Sequence, residues 1–260
     1  MEPRLFDAHC HLDLMAHPDA VADEATALGL VLFDCGVDPR DFASASKRTR
    51  SRSNIFVGIG LHPWWLADGR CGIAEINLLC EVAAQERFIG EVGLDFSARF
   101  ATSEPLQIQA LDRLCNALVQ HPLAGRVISI HAVRSAGTVL DILESHGLLT
   151  PSPDSPAIIF HWFSDTSNEF VRARDAGCYF SVSERMLATK RGREYARQIP
   201  LDRLLLETDA PAKPDAETSV QSLIRSLTRT SMRIASLKNC DIKRIESTVL
   251  ANAHSVFDLR

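Results

Sequence analysis

Eight short apolar runs recur along this chain with their starts about 20 to 40 residues apart, the spacing of repeated strand–helix units. They span residues 5–11, 30–36, 55–62, 88–94, 127–131, 157–162, 178–182 and 204–208. Between them the pattern turns helical. Leu111, Leu114, Cys115 and Leu118 fall at i, i+3, i+4 and i+7, and the stretches 135–146 and 165–176 run into Gly147 and Gly177, where a helix takes its C′ glycine. Val220, Leu223, Ile224 and Leu227 repeat the amphipathic pattern after the last run. Eight strands alternating with helices predict an α/β chain folded as a (β/α)8 TIM-type barrel, one domain over residues 1–260 with the C-terminal helices closing it. A doubly wound open sheet is the alternative, but no glycine-rich dinucleotide turn follows the first run. The turn-rich segment 152–156 reads as a connector, because the strand pattern resumes directly after it.

Side chains able to bind a metal cluster at the C-terminal ends of these runs. The first ends in His9 and His11, the third in His62, the fifth in His131 and the sixth in His161. The fourth carries Glu91 with Asp95 just beyond, and the eighth ends in Glu207 and Asp209. On a strand, residues two apart share a face, so His9 and His11 are spaced to chelate one ion. Strict alternation also groups Ile89 with Glu91 and Gly93, Val127 with Ser129 and His131, and Leu205 with Glu207 and Asp209. In a barrel all these ends converge on the face that carries chemistry. A single strand-end histidine is ordinarily a packed core or loop residue; four strands ending this way beside two with carboxylates are not. His17, His121, His146 and His254 fall in turns or helices and read as surface residues.

Composition narrows the classes. Seven scattered cysteines without a CxxC pair argue against a disulfide framework or zinc ribbon and for a reducing compartment. Asp7 and His9 interrupt the N-terminus before a secretory apolar segment forms, and no run approaches membrane-spanning length, so a cytoplasmic protein is expected. The net charge of −5 gives no global attraction for nucleic acid, so a polyanionic substrate needs a local cationic patch or a metal.

Imidazoles with carboxylates suit zinc, manganese or iron, whereas carboxylates and water suit magnesium. Glu91, on the fourth strand, is the natural bridge between two such ions, which would stand about 3.5–4 Å apart. Asp209 is then a ligand that can also orient or deprotonate the attacking water.

The stretches FDAHCHLD, GIGLHP, IGEVGLDF, ISIH, IFHWFS and LLLETDAP, with Asn252 and Phe257 at the end, resemble the TatD family of metal-dependent deoxyribonucleases in content and order. The resemblance implies His9, His11, Glu91, His131, His161 and Asp209 as metal ligands, with Asp209 and Glu91 catalytic. It implies one or two divalent ions (Mg2+, Mn2+ or Zn2+) and hydrolysis of DNA, preferentially single-stranded, in the 3′-to-5′ direction. Two positions depart from the family pattern. Val133 and then Arg134 stand where many members carry an arginine two residues after the strand-five histidine, and Asp165 replaces a glycine, adding negative charge near the site. SIHAVRSAGTVLDIL, HWFS and GCYFSV, with Met186 nearby, also resemble the TatD-type nuclease of Qat anti-phage defence systems, which implies protein partners in phage defence.

Trp64 and Trp65 follow His62-Pro63, and one or both are expected to stack on unpaired bases; packing against the barrel is the alternative. Trp162 and Phe163 carry the same two readings. His62, Trp64, Arg134, Lys190 and Arg191 form the expected substrate-binding set, with Arg193 beside the last two. Asp7, Asp95 and Glu207 are expected to support the ligands from behind. The basic run 47–52 precedes the third strand, toward the opposite end of the barrel, and reads as a solvated face or a partner contact. Cys10 points away from the histidines flanking it and reads as a buried small hydrophobe.

Two other functions fit the same fold. One is a small-molecule hydrolase or deaminase, many of which bridge two metals through a modified lysine where this chain has Glu91. The other is a non-catalytic scaffold in a defence complex, for which a full set of buried ligand residues would be an unneeded cost.

Overall fold

The computed structural model of the chain describes residues 5–152 and 154–258, and all eight expected strands form. They are β1 (Leu5–Cys10), β2 (Leu30–Cys35), β3 (Ile55–Gly58), β4 (Phe88–Asp95), β5 (Val127–Val133), β6 (Ala157–His161), β7 (Tyr179–Val182) and β8 (Leu204–Leu206). Each lies parallel to its neighbour in chain order, β1 to β3 in one ladder and β4 to β8 in another. Two seams close the circle. Ile59 N–H donates to Phe88 O (3.1 Å) and Gly90 N–H to Ile59 O (2.9 Å), while Asp209 N–H donates to His9 O (2.9 Å). The fold is therefore a (β/α)8 barrel, and the open-sheet alternative is set aside.

The amphipathic stretches become helices on its outside. Leu111, Leu114, Cys115 and Leu118 are buried along Glu104–Gln120. The helices Ala136–Ser145 and Ser167–Asp175 are followed by Gly147 at φ 72° and Gly177 at φ 80°, the left-handed geometry expected after a helix. In the 152–156 connector, Ser152 and Ser155 share a side-chain hydrogen bond (2.8 Å); Pro153 lies outside the described residues.

Two apolar layers hold the barrel. The larger lies between strands and helices, and Cys10 belongs to it, fully buried as expected. The smaller fills the barrel interior, where Phe6, Val31, Phe33, Val127, Ile159 and Leu205 meet Phe257 from the helix Ile242–Phe257. The Phe257 ring centroid stands 4.5 Å from Phe6, 5.2 Å from Phe33, 5.5 Å from Phe56 and 5.8 Å from Phe88. Asn252 anchors the same helix by donating to Leu201 O (2.7 Å) and Leu204 O (2.8 Å), just ahead of and at the start of β8. The C-terminal helix thus plugs the barrel's floor, leaving the other end for chemistry.

Strict alternation fails at the two strands that matter most. Between Asp7 and Cys10, β1 has one residue more than β2 opposite, and β4 gains one over β5 between Ile89 and Val92. Such a bulge switches which residues face inward. Phe6 and Ala8 point into the barrel, and beyond the extra residue His9 and His11 do so while Cys10 turns out. In β4, Phe88 packs against the interior rings and Ile89 against the outer layer, whereas Glu91 returns to the inside. Ile89 and Glu91 therefore do not share a side, contrary to the sequence reading.

The third run also ends differently. β3 stops at Gly58, and His62 lies beyond it, ahead of the short helix Pro63–Ala67. Glu91 N–H donates directly to Gly36 O (2.7 Å), so β2 and β4 meet above the end of β3. Gly60 sits in that pinch, where a Cβ would lie 1.8 Å from Gly36 O, so only glycine fits.

Candidate metal centre

Glu91 stands at the centre of the open end of the barrel with its carboxylate ringed by imidazoles. Its Oε1 lies 2.6 Å from His131 Nδ1, 2.8 Å from His161 Nε2 and 3.2 Å from His62 Nε2. Its Oε2 lies 3.3 Å from His11 Nε2 and 3.4 Å from His9 Nε2. Asp209 joins through Oδ1, 3.5 Å from His11 Nε2. All six residues whose spacing and resemblance marked them as ligands thus meet in one place, and His62 is drawn in beside them.

The surroundings decide which nitrogen of each ring is available. His11 Nδ1 lies 2.7 Å from Cys35 O, a pure acceptor, so it carries a proton and Nε2 faces the cluster. His9 Nδ1 bonds Ser129 Oγ at 2.7 Å, and Asp95 Oδ2 approaches His131 Nε2 at 3.4 Å, leaving Nδ1 of that ring toward Glu91. His62 is the opposite case. Its Nδ1 accepts the backbone N–H of Trp64 (3.1 Å), and burial lowers its pKa to about 4. The neutral ring must therefore hold its proton on Nε2, so it offers the cluster a donor and not a lone pair.

Three overlapping sets have donor atoms within 4.8 Å of one another: His9, His11 and Glu91; His9, His161 and Asp209; His62, Glu91 and His131. Glu91 belongs to two of them. His9 Nε2 is fully buried and has no hydrogen-bond partner, a costly arrangement that a cation beside it would relieve. Burial alone would raise the pKa of Glu91, but His62, His161 and His9 together with the hydrogen bond from His131 hold it well below the ordinary carboxylate range. Burial likewise opposes charge on His161, yet Glu91 and Glu207 outweigh it and raise that pKa. The donor set, rich in nitrogen and carrying a firmly ionised central carboxylate, fits a divalent transition ion.

Behind the cluster, Asp7 accepts from Thr208 N (2.9 Å), Thr208 Oγ1 (2.5 Å) and His9 N (3.3 Å), tying β1 to the segment after β8. Asp209 itself adopts a left-handed backbone, φ 52°, which that tie holds in place. Glu207 accepts from Trp162 N (3.1 Å) and from the Ser181 hydroxyl, and stands 3.8 Å from His161 Nδ1. Asp95 Oδ2 also accepts Trp64 Nε1–H at 2.7 Å, so indole and His131 share one carboxylate oxygen.

The flanking residues divide. Trp64 stands edge-on to His62 (4.9 Å between centroids), and Arg99 covers its ring at 4.7 Å, whereas Trp65 packs on the core under Arg70. Phe163 is core, packed with Phe160, Phe170 and Phe180. Arg134 and Lys190 are exposed and make no bond to the cluster among the described residues; Arg191 donates to Ser164 O (3.2 Å) and Arg193 to Leu187 O and Ala188 O. Asp165 does not face the site: it caps the helix Ala136–Ser145 through Ala136 N (2.9 Å) and also accepts from Thr166 N. His17, His121, His146 and His254 stay away from the cluster, the first and third pairing with Glu217 and Asp112.

Two residues were invisible to sequence reasoning. Arg185 reaches Asp209 Oδ2 at 3.1 Å, and no spacing rule connects a residue after β7 with one after β8. Arg48, from the basic run placed at the far end, instead bonds Asp13 and lines a cavity of about 200 Å³ beside His11. Arg52 pairs with Asp19 and Asp23, so only Lys47 and Arg50 of that run are exposed cations.

A family model described as TatD related DNase matches residues 6–258. The chain is 26% identical to human deoxyribonuclease TATDN3, covering 97% of this chain and 94% of the relative. It is 28% identical to the 3′-5′ ssDNA/RNA exonuclease TatD of Escherichia coli K12, covering 92% and 91%. Its fold matches the crystal structure of YJJV, a TatD homologue from Escherichia coli K12, with a TM-score of 0.79 and 20% identity over all of both chains.

Proposed function

This chain belongs to the TatD related DNases, metal-dependent hydrolases acting on phosphodiester bonds, and on that premise we propose that it removes nucleotides from the 3′ end of single-stranded DNA. The observation that carries the reading is the buried Glu91 carboxylate with five imidazole nitrogens within 3.4 Å. We assign His9, His11, Glu91, His131, His161 and Asp209 to hold one or two divalent ions, with the whole chain acting as one catalytic unit. The imidazole-rich set favours Mn2+ or Zn2+ over Mg2+. A bound ion of this kind lowers the pKa of water toward about 7 and neutralises phosphate charge.

The chain's own groups supply the rest. Asp209, the ligand nearest the open end, takes the proton of the attacking water. His62 Nε2–H donates to a phosphate oxygen, which its fixed tautomer suits it to do. Asp95, Glu207 and Asp7 orient His131, His161 and the β1–β8 seam, and Trp64 offers its ring to an unpaired base. The homologues named for activity on both ssDNA and RNA make RNA a substrate to test in parallel.

Purified protein is expected to shorten a 5′-labelled single-stranded oligonucleotide stepwise in Mn2+, Zn2+ or Mg2+, and to stop in EDTA. Inertness toward single-stranded DNA and RNA across all three ions would sink the nuclease reading and return the barrel to small-molecule chemistry. Trp64→Ala is expected to weaken oligonucleotide binding about tenfold, from the loss of one stacked base, while kcat changes less. Trp64→Phe keeps a ring but loses the bond to Asp95, and should fall between; equal affinity in all three proteins would make Trp64 a packing residue. We also propose partners in anti-phage defence, supported by the resemblance over residues 129–143; defence genes beside this one would support it, and a housekeeping neighbourhood would remove it.

A further inference from the structure

Asp209 has two faces. Its Oδ1 turns toward His11 and the cluster, and its Oδ2 bonds Arg185 Nη1 at 3.1 Å. Side-chain exposure rises along this line, from 1% at Glu91 and 10% at His11 to 15% at Asp209 and 40% at Arg185, so Arg185 stands at the mouth of the site. It is placed there by the end of β7. Buried Ser183 caps the short helix Glu184–Ala188 and aligns Arg185 in its first turn. The guanidinium carbon lies 5.8 Å from the Trp162 ring centroid, which gives the planar group an aromatic flank.

A guanidinium carries five N–H donors, and Asp209 engages one nitrogen of this one. Among the described residues the other donors have no protein acceptor. Of the three cations next in the chain, Arg191 and Arg193 bond backbone carbonyls, and Lys190 has no bond to the cluster among the described residues. A chain of net charge −5 that gathers carboxylates at this end needs a cation to receive a polyanion.

We propose that Arg185 grips a non-bridging phosphate oxygen of the bound strand at or next to the scissile bond, through its free N–H groups and in the paired geometry guanidinium favours. This rests on the nuclease reading of the site. The grip sets the phosphorus beside Asp209, the group assigned to take the proton from the attacking water.

The test measures binding of a fluorescein-labelled oligothymidylate by anisotropy across a salt series, with kcat and KM measured alongside, for wild type, Arg185→Met and Arg185→Lys. The methionine variant is expected to lose about tenfold in affinity, and its plot of log affinity against log salt to flatten by about 0.7, the value for one phosphate contact on a single strand. Lysine should keep the salt slope while losing part of the affinity, which also shows that the site tolerates substitution. If wild type cleaves DNA and the methionine variant keeps both affinity and slope, the inference is overturned and the nuclease reading stands. Unchanged affinity with a fallen kcat would make Arg185 a positioning residue for Asp209, again overturning it. If wild type neither binds nor cleaves, the two fall together.

Discussion

Glu91→Gln is expected to reduce kcat/KM for single-stranded DNA at least about a thousandfold, some 4 kcal/mol of transition-state stabilisation, without unfolding the barrel. The substitution keeps the volume and removes only the charge. Among the described residues Glu91 is the one carboxylate within 3.4 Å of all five imidazoles, with His9 and His11 facing its Oε2 and His131 and His161 facing its Oε1. An amide is a poor metal ligand and offers no negative charge to oppose a divalent ion, so metal binding should weaken. Metal content after dialysis should fall in parallel with activity, and circular dichroism should keep its wild-type form. Asp209→Ala should lose activity to a similar degree but retain more metal, because Asp209 belongs to a single set. Full activity in both variants would remove these residues from the chemistry.

Phe257→Ala should produce the largest loss of stability, about 3–5 kcal/mol, equivalent to roughly 10 °C in Tm for a chain of this size. Phe257 is fully buried, and its ring meets four others contributed by β1, β2, β3 and β4. Truncation leaves a cavity at the floor of the barrel that strands locked in a closed ladder cannot collapse to fill. Met232→Ala, at a site 56% exposed, is the control and should stay within about 0.5 kcal/mol. Calorimetry of the three proteins measures the difference. The floor lies at the opposite end from Glu91, so Phe257→Ala should keep most of its kcat at temperatures where it stays folded. A Tm within about 2 °C of wild type would show that the plug contributes little.

The strand count and the ligand types were legible because each depends on local sequence. A short apolar run between helical stretches encodes a strand wherever it lies, and a histidine at its end is a candidate ligand by chemistry alone. Alternation was less dependable. His9 and His11 share a face, as a spacing of two implies, yet that face is inward only because β1 holds an extra residue just before them. Glu91 turns inward by the same device while Ile89 does not. Hydrogen-bond registration against β2 and β5 makes those bulges; Gly90 inside β4 is a local mark of one, while β1 carries no such mark.

Other assignments needed partners distant in the chain. Asp165 looks like added negative charge near the site until the N-terminus of the helix Ala136–Ser145 takes its carboxylate. Trp64 and Trp65 are indistinguishable in sequence; Asp95 claims one and the core the other.

The sequence by itself determined that this chain builds a barrel with a ring of histidines and carboxylates able to bind metal at one end, because strand period and ligand chemistry are properties of short segments. Only the tertiary structure decided which way Glu91 points, that His62 is buried and neutral beside it, and that Arg185 stands over Asp209. The first and last rest on hydrogen bonds between segments that only barrel closure brings together, and the burial of His62 comes from the same packing.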